Sequence, residues 1–182
     1  MSIDQIPKLD AIRSQKLIEQ KIVNNNPMKK IQLITDGACI NNPGPGGWAC
    51  ILRYKETIRE LVGSEPQTTN NRMELRALLE GLLALKEPCE VVIVTDSKYL
   101  LQGMTEWLPK WKIHGWKTKG KKSGGSGLVL NQDLWVALDE AIGRHIATFE
   151  WVKGHANHPD NIRCDRLATK AAKEIASQTR VS

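Results

Sequence analysis

The sequence predicts an α/β domain, a mixed five-stranded sheet flanked by helices. Three observations predict it. Strand-like and helix-like stretches follow one another in the order βββαβα…αβα, which places helices on the faces of a sheet. The run Val91–Thr95 is β-branched and shows no polar alternation, as in a strand buried on both sides. The stretch from Asn70/Asn71 to about Lys86 carries Leu75, Leu78, Leu79, Leu82 and Leu85 on one broad apolar face, the pattern of a helix packed on a core.

Each element has its own warrant. Residues 1–27 place Ile3, Ile6, Leu9, Ile12, Leu17, Ile18 and Ile22 at roughly helical spacing and end in Asn24-Asn25-Asn26-Pro27, a strong breaker. They are expected to form a weak helix or a frayed, disordered extension. Lys30–Thr35 is a short strand that should stop at Asp36-Gly37, followed by a Pro/Gly-rich turn over Asn41–Gly47. Trp48–Tyr54 and Thr57–Gly63 continue as an antiparallel meander. After the long helix and Val91–Thr95, two short helices are expected at Ser97–Gly103 and Glu106–Trp111. Lys112–Leu130 turns from Lys-rich to Gly/Ser-rich and reads as an exposed, mobile loop. A helix over Asp133–Gly143, a strand over Ile146–Val152 and an amphipathic helix over Asn161–Ser177 complete the chain. The expected division is an extension at 1–27, a catalytic domain at 28–178 with a basic handle and loop at 106–130, and a tail at 179–182.

At 182 residues the chain can bury one real core and is short for two domains. No stretch approaches the roughly 18 apolar residues of a membrane span. The first 25 residues hold Asp4, Asp10 and Glu19 without an apolar block, unlike a signal or transit peptide, so the expected compartment is the cytoplasm. Cys39, Cys50, Cys89 and Cys164 form no C-x-x-C pair and no zinc spacing with histidine, which leaves reduced, partly buried thiols. The net charge of +6 is local: residues 106–122 hold six lysines against Glu106 alone, and outside this segment and the N-terminal extension acids and bases balance. A basic patch of this kind suits a polyanionic partner.

Four acids are the candidates for chemistry. Asp36 and Asp96 follow strands, Glu74 lies in the first turn of the long helix, and Asp165 lies near the start of the last helix. If the first and fourth strands are neighbours, Asp36 and Asp96 share the carboxyl edge of the sheet, where open α/β sheets place ligands. Taken singly, each has an ordinary explanation. Glu74 follows Asn71 by three residues, a capping-box spacing; Asp96 could cap a helix, Asp36 could sit in a turn, and Asp165 could answer its helix dipole.

The words around these acids are Thr35-Asp36-Gly37-Ala38-Cys39 with Asn42-Pro43-Gly44-Pro45-Gly46-Gly47, then Thr68-Thr69-Asn70-Asn71-Arg72-Met73-Glu74-Leu75. They are followed by Thr95-Asp96-Ser97, Trp151-Val152-Lys153-Gly154-His155-Ala156 and Cys164-Asp165-Arg166-Leu167-Ala168. Over residues 29 to about 177, five words in this order resemble the type 1 ribonuclease H family, most of all its bacterial members. The resemblance implies a ribonuclease H-like fold with three antiparallel strands and then parallel ones. It implies an endonuclease that hydrolyses the RNA strand of an RNA–DNA hybrid, leaving 5′-phosphate and 3′-hydroxyl ends. By the same resemblance Asp36, Glu74, Asp96 and Asp165 hold divalent metal, and His155 assists proton transfer and product departure without ligating it.

The chemistry is consistent with that assignment. Phosphodiester hydrolysis at neutral pH needs a deprotonated water and neutralised oxygens, which two divalent ions about 4 Å apart supply. Mg²⁺, with Mn²⁺ as a substitute, prefers oxygen ligands and keeps several waters, so a few carboxylates suffice. Four crowded carboxylates repel one another unless cations fill the site. A lone loop histidine such as His155 is usually just solvated, and the resemblance is what singles it out. His158 has no such warrant.

The resemblance also implies a handle that grips the hybrid through Trp107, Trp111, Lys112, Trp116, Lys117 and Lys119. The alternative for each tryptophan is packing of the protrusion against itself. Lysine contacts to phosphate add affinity with little sequence preference. Thr69 and Asn70 stand at a helix start, where free N–H groups attract phosphate, and in the family they act there with the residue matching Asn42. Glu74 and backbone groups near Cys39 are the family's sensors of the 2′-hydroxyl that separates RNA from DNA. The partner expected is the hybrid duplex, with no membrane, and the protein is expected to be a monomer. Departures from the pattern are Ala38 in place of the common Ser, Lys98 in place of Gln, a longer Ser123–Leu130 loop, and residues 1–27, which have no counterpart.

Two other functions compete. A resolvase- or transposase-like nuclease on the same fold would act on DNA, which the Thr68–Glu74 word and the handle disfavour. A non-catalytic hybrid-binding module would have lost one or more of the four carboxylates, and all four are present.

Overall fold

A computed structural model gives the structure of residues 27–117, 127–154 and 158–179. The strands are β1 (Lys29–Cys39), β2 (Gly44–Tyr54), β3 (Thr57–Thr68), β4 (Cys89–Thr95) and β5 (Ile146–Trp151). The helices are α1 (Asn70–Leu83), α2 (Lys98–Gln102), α3 (Leu108–Ile113), α4 (Gln132–Ile142) and α5 (Pro159–Thr179), with a π-helical turn, Gly103–Trp107, between α2 and α3. The sheet order is β3-β2-β1-β4-β5. β1 pairs antiparallel with β2 and β2 with β3, whereas β1–β4 and β4–β5 are parallel. This is the mixed five-stranded α/β sheet that the element order implies.

Alternation along β1 explains the layers. Ile31 and Leu33 point to one face, where they join Leu75, Leu78, Leu82, Trp135 and Leu138 of α1 and α4. Ile34 points to the other and joins Ala49, Ile51 and Val94 beneath Cys164 and Ala168 of α5. Asp36 is two residues beyond Ile34, so it falls on the α5 face.

The strands run longer than composition suggests, and the difference positions the site. β1 does not stop at Asp36, as the Asp-Gly word predicts, but continues to Cys39. Its ladder with β4 ends at Ile34↔Val94, whereas its ladder with β2 persists through Asp36↔Ala49 to Cys39↔Gly46. Asp36 is therefore a strand residue with one flank opened by the departure of β4. The Gly44–Gly47 stretch expected as a turn belongs to β2. Its lack of side chains serves packing: a Cβ on Gly47 would lie 2.3 Å from the Ala168 carbonyl oxygen, so glycine lets α5 sit directly on the sheet. β3 extends past Gly63 to Thr68 and includes Pro66, which an edge strand tolerates.

The two short helices expected between Ser97 and Trp111 form one helical stretch through the π-helical turn. Pro109 cannot donate to the carbonyl four residues back and its ring crowds it, which favours a widened turn just before it. The loop expected over Lys112–Leu130 has ordered ends. Lys112 and Ile113 belong to α3, Lys117 pairs with Leu128, and Val129 is buried in the core. The remaining expected helices and strands appear within a few residues of their anticipated ends, α1 closing at Leu83 rather than near Lys86. Residues 1–26 of the expected extension lie outside the described residues, as does the tail at 180–182.

Candidate active site

Three chain segments meet at the carboxyl ends of β1 and β4. Asp36 comes from β1, Glu74 from α1 and Asp96 from the residue after β4, and one carboxylate oxygen of each lies within 4.8 Å of the others. Asp165, in the second turn of α5, is near enough for its charge to act on Asp36.

Glycine makes the approach of β1 and α1 possible. A Cβ on Gly37 would lie 2.4 Å from the Glu74 backbone nitrogen, so no other residue lets β1 abut α1 so closely. The α1 N-terminus is capped by Thr69, whose Oγ1 accepts the Arg72 N–H at 3.3 Å. The Asn71–Glu74 capping box suggested by spacing is not the cap used, and Glu74 instead turns into the cluster. Asp96 does not cap α2 either; Ser97 does, accepting the Leu100 N–H at 3.2 Å.

Every hydrogen-bond donor that reaches these carboxylates among the described residues is neutral. The Gly37 N–H donates to Asp36 Oδ1 at 2.8 Å, and Asn70 Nδ2 to Glu74 Oε1 at 3.5 Å. Asn161 Nδ2 donates to Asp96 Oδ2 at 3.3 Å, and Thr169 Oγ1 to Asp165 Oδ1 at 3.5 Å. Ion pairs are plentiful elsewhere in the domain, yet none among the described residues involves any of the four acids. Burial first, then the charges of Asp96 and Asp165, push the Asp36 carboxyl up to about 8. Burial, then Asp36 and Asp96, hold Glu74 well above the usual carboxylate range. Glu74 Oε2 is sealed without a hydrogen-bond partner among the described residues. Uncompensated charge, an orphaned buried oxygen and an all-oxygen donor set fit a hard divalent cation.

The other sequence candidates fall around this edge. Cys39 lies three residues beyond Asp36, and its thiol donates to the Gly44 and Thr68 carbonyls, both at 3.5 Å. Asn42 Oδ1 accepts the Asn70 N–H at 3.0 Å, which ties Asn42 to the start of α1 next to Thr69. This corrects one expectation: at the start of α1 the Asn70 and Arg72 N–H groups already have side-chain partners. His155 and Lys119 lie outside the described residues. The remaining thiols are buried, and none of the four cysteines is in a disulfide.

In the basic protrusion the tryptophans pack against one another. Trp107 lies 5.7 Å from Tyr99 and 5.8 Å from Trp111; Trp111 lies 5.5 Å from Trp135 and 6.5 Å from Trp116. The self-packing alternative describes them well, and each keeps only part of its surface open. Lys112 is held by Asp139 at 2.9 Å, an internal partner that the sequence does not suggest, while Lys117 is exposed. Lys98 stacks its ammonium 5.6 Å from the ring centre of Trp151.

Sequence reasoning misses Asn161 and the part played by Gly154. Asn161 is four residues before Asp165, a spacing that puts both on one helix face and could have marked it. A Cβ on Gly154 would lie 2.8 Å from Asp96 Oδ2, so the Lys153-Gly154 backbone closes over the site.

Comparison with known proteins gives consistent results. The family model described as RNase H matches residues 28–173. A protein named ribonuclease H from Solibacter usitatus is 61% identical over 147 residues, 81% of this chain and 97% of the relative. One of the same name from Erythrobacter litoralis is 56% identical over 145 residues, 80% of this chain and 97% of the relative. The crystal structure of LC9-RNase H1, described as a type 1 RNase H, superposes with a TM-score of 0.72 at 33% identity, covering 81% of this chain and 74% of that one.

Proposed function

The chain belongs to the ribonuclease H family, and on that premise we propose that it hydrolyses the RNA strand of RNA–DNA hybrids with the aid of two Mg²⁺ ions, Mn²⁺ serving as a substitute. The observation that carries this reading is the convergence of acids at one sheet edge with no basic partner among the described residues. Asp36, Glu74, Asp96 and Asp165 would hold the metal. When bound, such ions lower the pKa of a water and offset charge on the phosphate oxygens.

The chain's own residues do the rest. Gly37 and Thr69 fix the angle at which Glu74 enters the site. Asn42 and Asn70 form a neutral bracket beside the carboxylates for a phosphate or a minor-groove edge. Glu74 and the backbone near Cys39 meet the 2′-hydroxyl. His155 follows Gly154, which lies against Asp96, and it moves a proton as water attacks phosphorus and the bond to O3′ breaks. That bond cleavage leaves 5′-phosphate and 3′-hydroxyl ends. Lys117 and Lys119 contact the nucleic-acid backbone. The catalytic unit is residues 28–178, working as a monomer in the cytoplasm. No helix among the described residues is long and apolar enough to cross a membrane.

The test is strand-specific cleavage of a uniform hybrid beside double-stranded RNA and double-stranded DNA, in Mg²⁺ and in Mn²⁺. Cutting confined to the RNA strand of the hybrid is expected. Equal cutting of duplex DNA would support a resolvase-like nuclease, and binding without cutting in either metal would support a hybrid-binding module.

A further inference from the structure

Asn161 is only 2% exposed and stands in the first turn of α5, one turn before Asp165. Its backbone N–H donates to His158 Nδ1 at 3.2 Å, and its Nδ2 donates to Asp96 Oδ2 at 3.3 Å. Its Oδ1 is buried with no partner among the described residues. An unsatisfied buried amide oxygen costs about 1–3 kcal/mol. Leucine has the same branched shape with no polar atom to bury, so side-chain packing alone does not call for an amide here.

What the amide supplies is a donor without charge. Asp96 is enclosed on two sides: Trp151 Nε1 donates to its backbone oxygen at 3.2 Å, and the Gly154 backbone runs close enough to Oδ2 that a Cβ there would lie 2.8 Å from it. With Oδ2 engaged by Asn161, Oδ1 has no donor among the described residues. A lysine or arginine at position 161 would bind Asp96 more strongly but would cancel the negative charge that a cation needs. We infer that Asn161 is a positioning residue, the neutral donor that fixes how Asp96 presents its carboxylate to a cation. The inference rests on the proposed cation-assisted hydrolysis.

The experiment uses the full chain carrying Asn161→Leu and, separately, Asn161→Ala, with folding checked by urea unfolding in the absence of metal. Mn²⁺ binding is measured by calorimetry without nucleic acid, and kcat and KM are measured on the hybrid. Asn161→Leu should match or exceed the parent in metal-free stability. Its Mn²⁺ affinity should nonetheless fall tenfold or more, the scale seen when a ligand loses its supporting hydrogen bond. kcat should fall by about as much while KM stays within about twofold. If Leu does not pack, Asn161→Ala is read by the same two measurements.

A folded variant that keeps parental Mn²⁺ affinity and kcat overturns the inference while leaving the proposed activity standing. A parent that binds Mn²⁺ but cuts no hybrid overturns the activity, and a fall in Mn²⁺ affinity in the variants would still support the role of Asn161. A parent that binds no Mn²⁺ overturns both.

Discussion

The two ends of β1 and β4 follow opposite electrostatic rules. At the amino ends, charge is matched: Lys29 pairs with Glu87 at 2.7 Å and Lys30 with Glu90 at 3.7 Å. The buried His145, at the mouth of β5, accepts the Cys89 N–H through Nδ1 at 3.3 Å. At the carboxyl ends, Asp36, Glu74 and Asp96 crowd together beside Asp165, with only neutral donors around them among the described residues. Burial disfavours charge at both ends, lowering His145 to about 4 and raising Asp36 to about 8. At the acidic end like charges add greatly to the cost. Charges paired at one edge and left opposed at the other are the pattern that the proposed cation site at the second edge requires.

The largest expected effect comes from breaking the acidic end. Asp36→Asn removes one carboxylate while keeping its shape, and turnover of the hybrid should fall by roughly a thousandfold or more, since several kcal/mol of charge stabilisation would depend on the metal it is proposed to hold. Affinity for the hybrid should persist, because the proposed backbone contacts come from elsewhere on the protein. Single-turnover cleavage and a binding titration in Ca²⁺ separate the two. Retained turnover would remove Asp36 from the metal site and reduce the contrast between the ends to a folding accident.

How far this contrast is legible in the sequence depends on the residue. Alternation and apolar spacing suffice for the sheet and its helices, because those signals are local. The four acids stand out through the words around them, but their convergence depends on strand neighbours that no local pattern specifies. Asp36 illustrates the difficulty: the Asp-Gly word looks like a strand end, yet β2 carries the strand onward after β4 has left. Only its spacing from Asp165 marks Asn161, since a lone asparagine near a helix start otherwise resembles any cap. Lys112 and the tryptophans suggest a surface they only partly occupy, because pairing with Asp139 and ring packing are tertiary events.

A smaller effect sharpens the other end. His145 is folded in its neutral form, with its pKa depressed first by burial and then by Arg144. A histidine lowered on folding supports the native state fully above its unfolded pKa of about 6.5, and that support is lost as pH falls from there through its folded value of about 4. The loss should approach roughly 3 kcal/mol, at about 1.4 kcal/mol per pH unit. His145→Asn keeps an acceptor near the Nδ1 position without the titration, so its stability should decline less steeply between pH 6.5 and 4. Urea unfolding across that range checks this, and identical slopes in parent and variant would show that the matched end carries no pH sensitivity of its own.

The smallest effect asks where the polyanion rests. Replacing Lys117, Lys119, Lys121 and Lys122 by Ala should weaken hybrid binding and flatten its dependence on log salt by up to about 0.9 log unit for each phosphate that is no longer neutralised. Lys112 provides the comparison within the same protrusion. Its ammonium is already bound to Asp139, so on the logic of the paired end Lys112→Ala should leave the salt slope unchanged and cost only about 1 kcal/mol or less of stability. If Lys112→Ala flattens the slope as much as Lys117→Ala does, the pair opens onto the nucleic acid. Internal pairing would then no longer separate structural charge from binding charge in this protein.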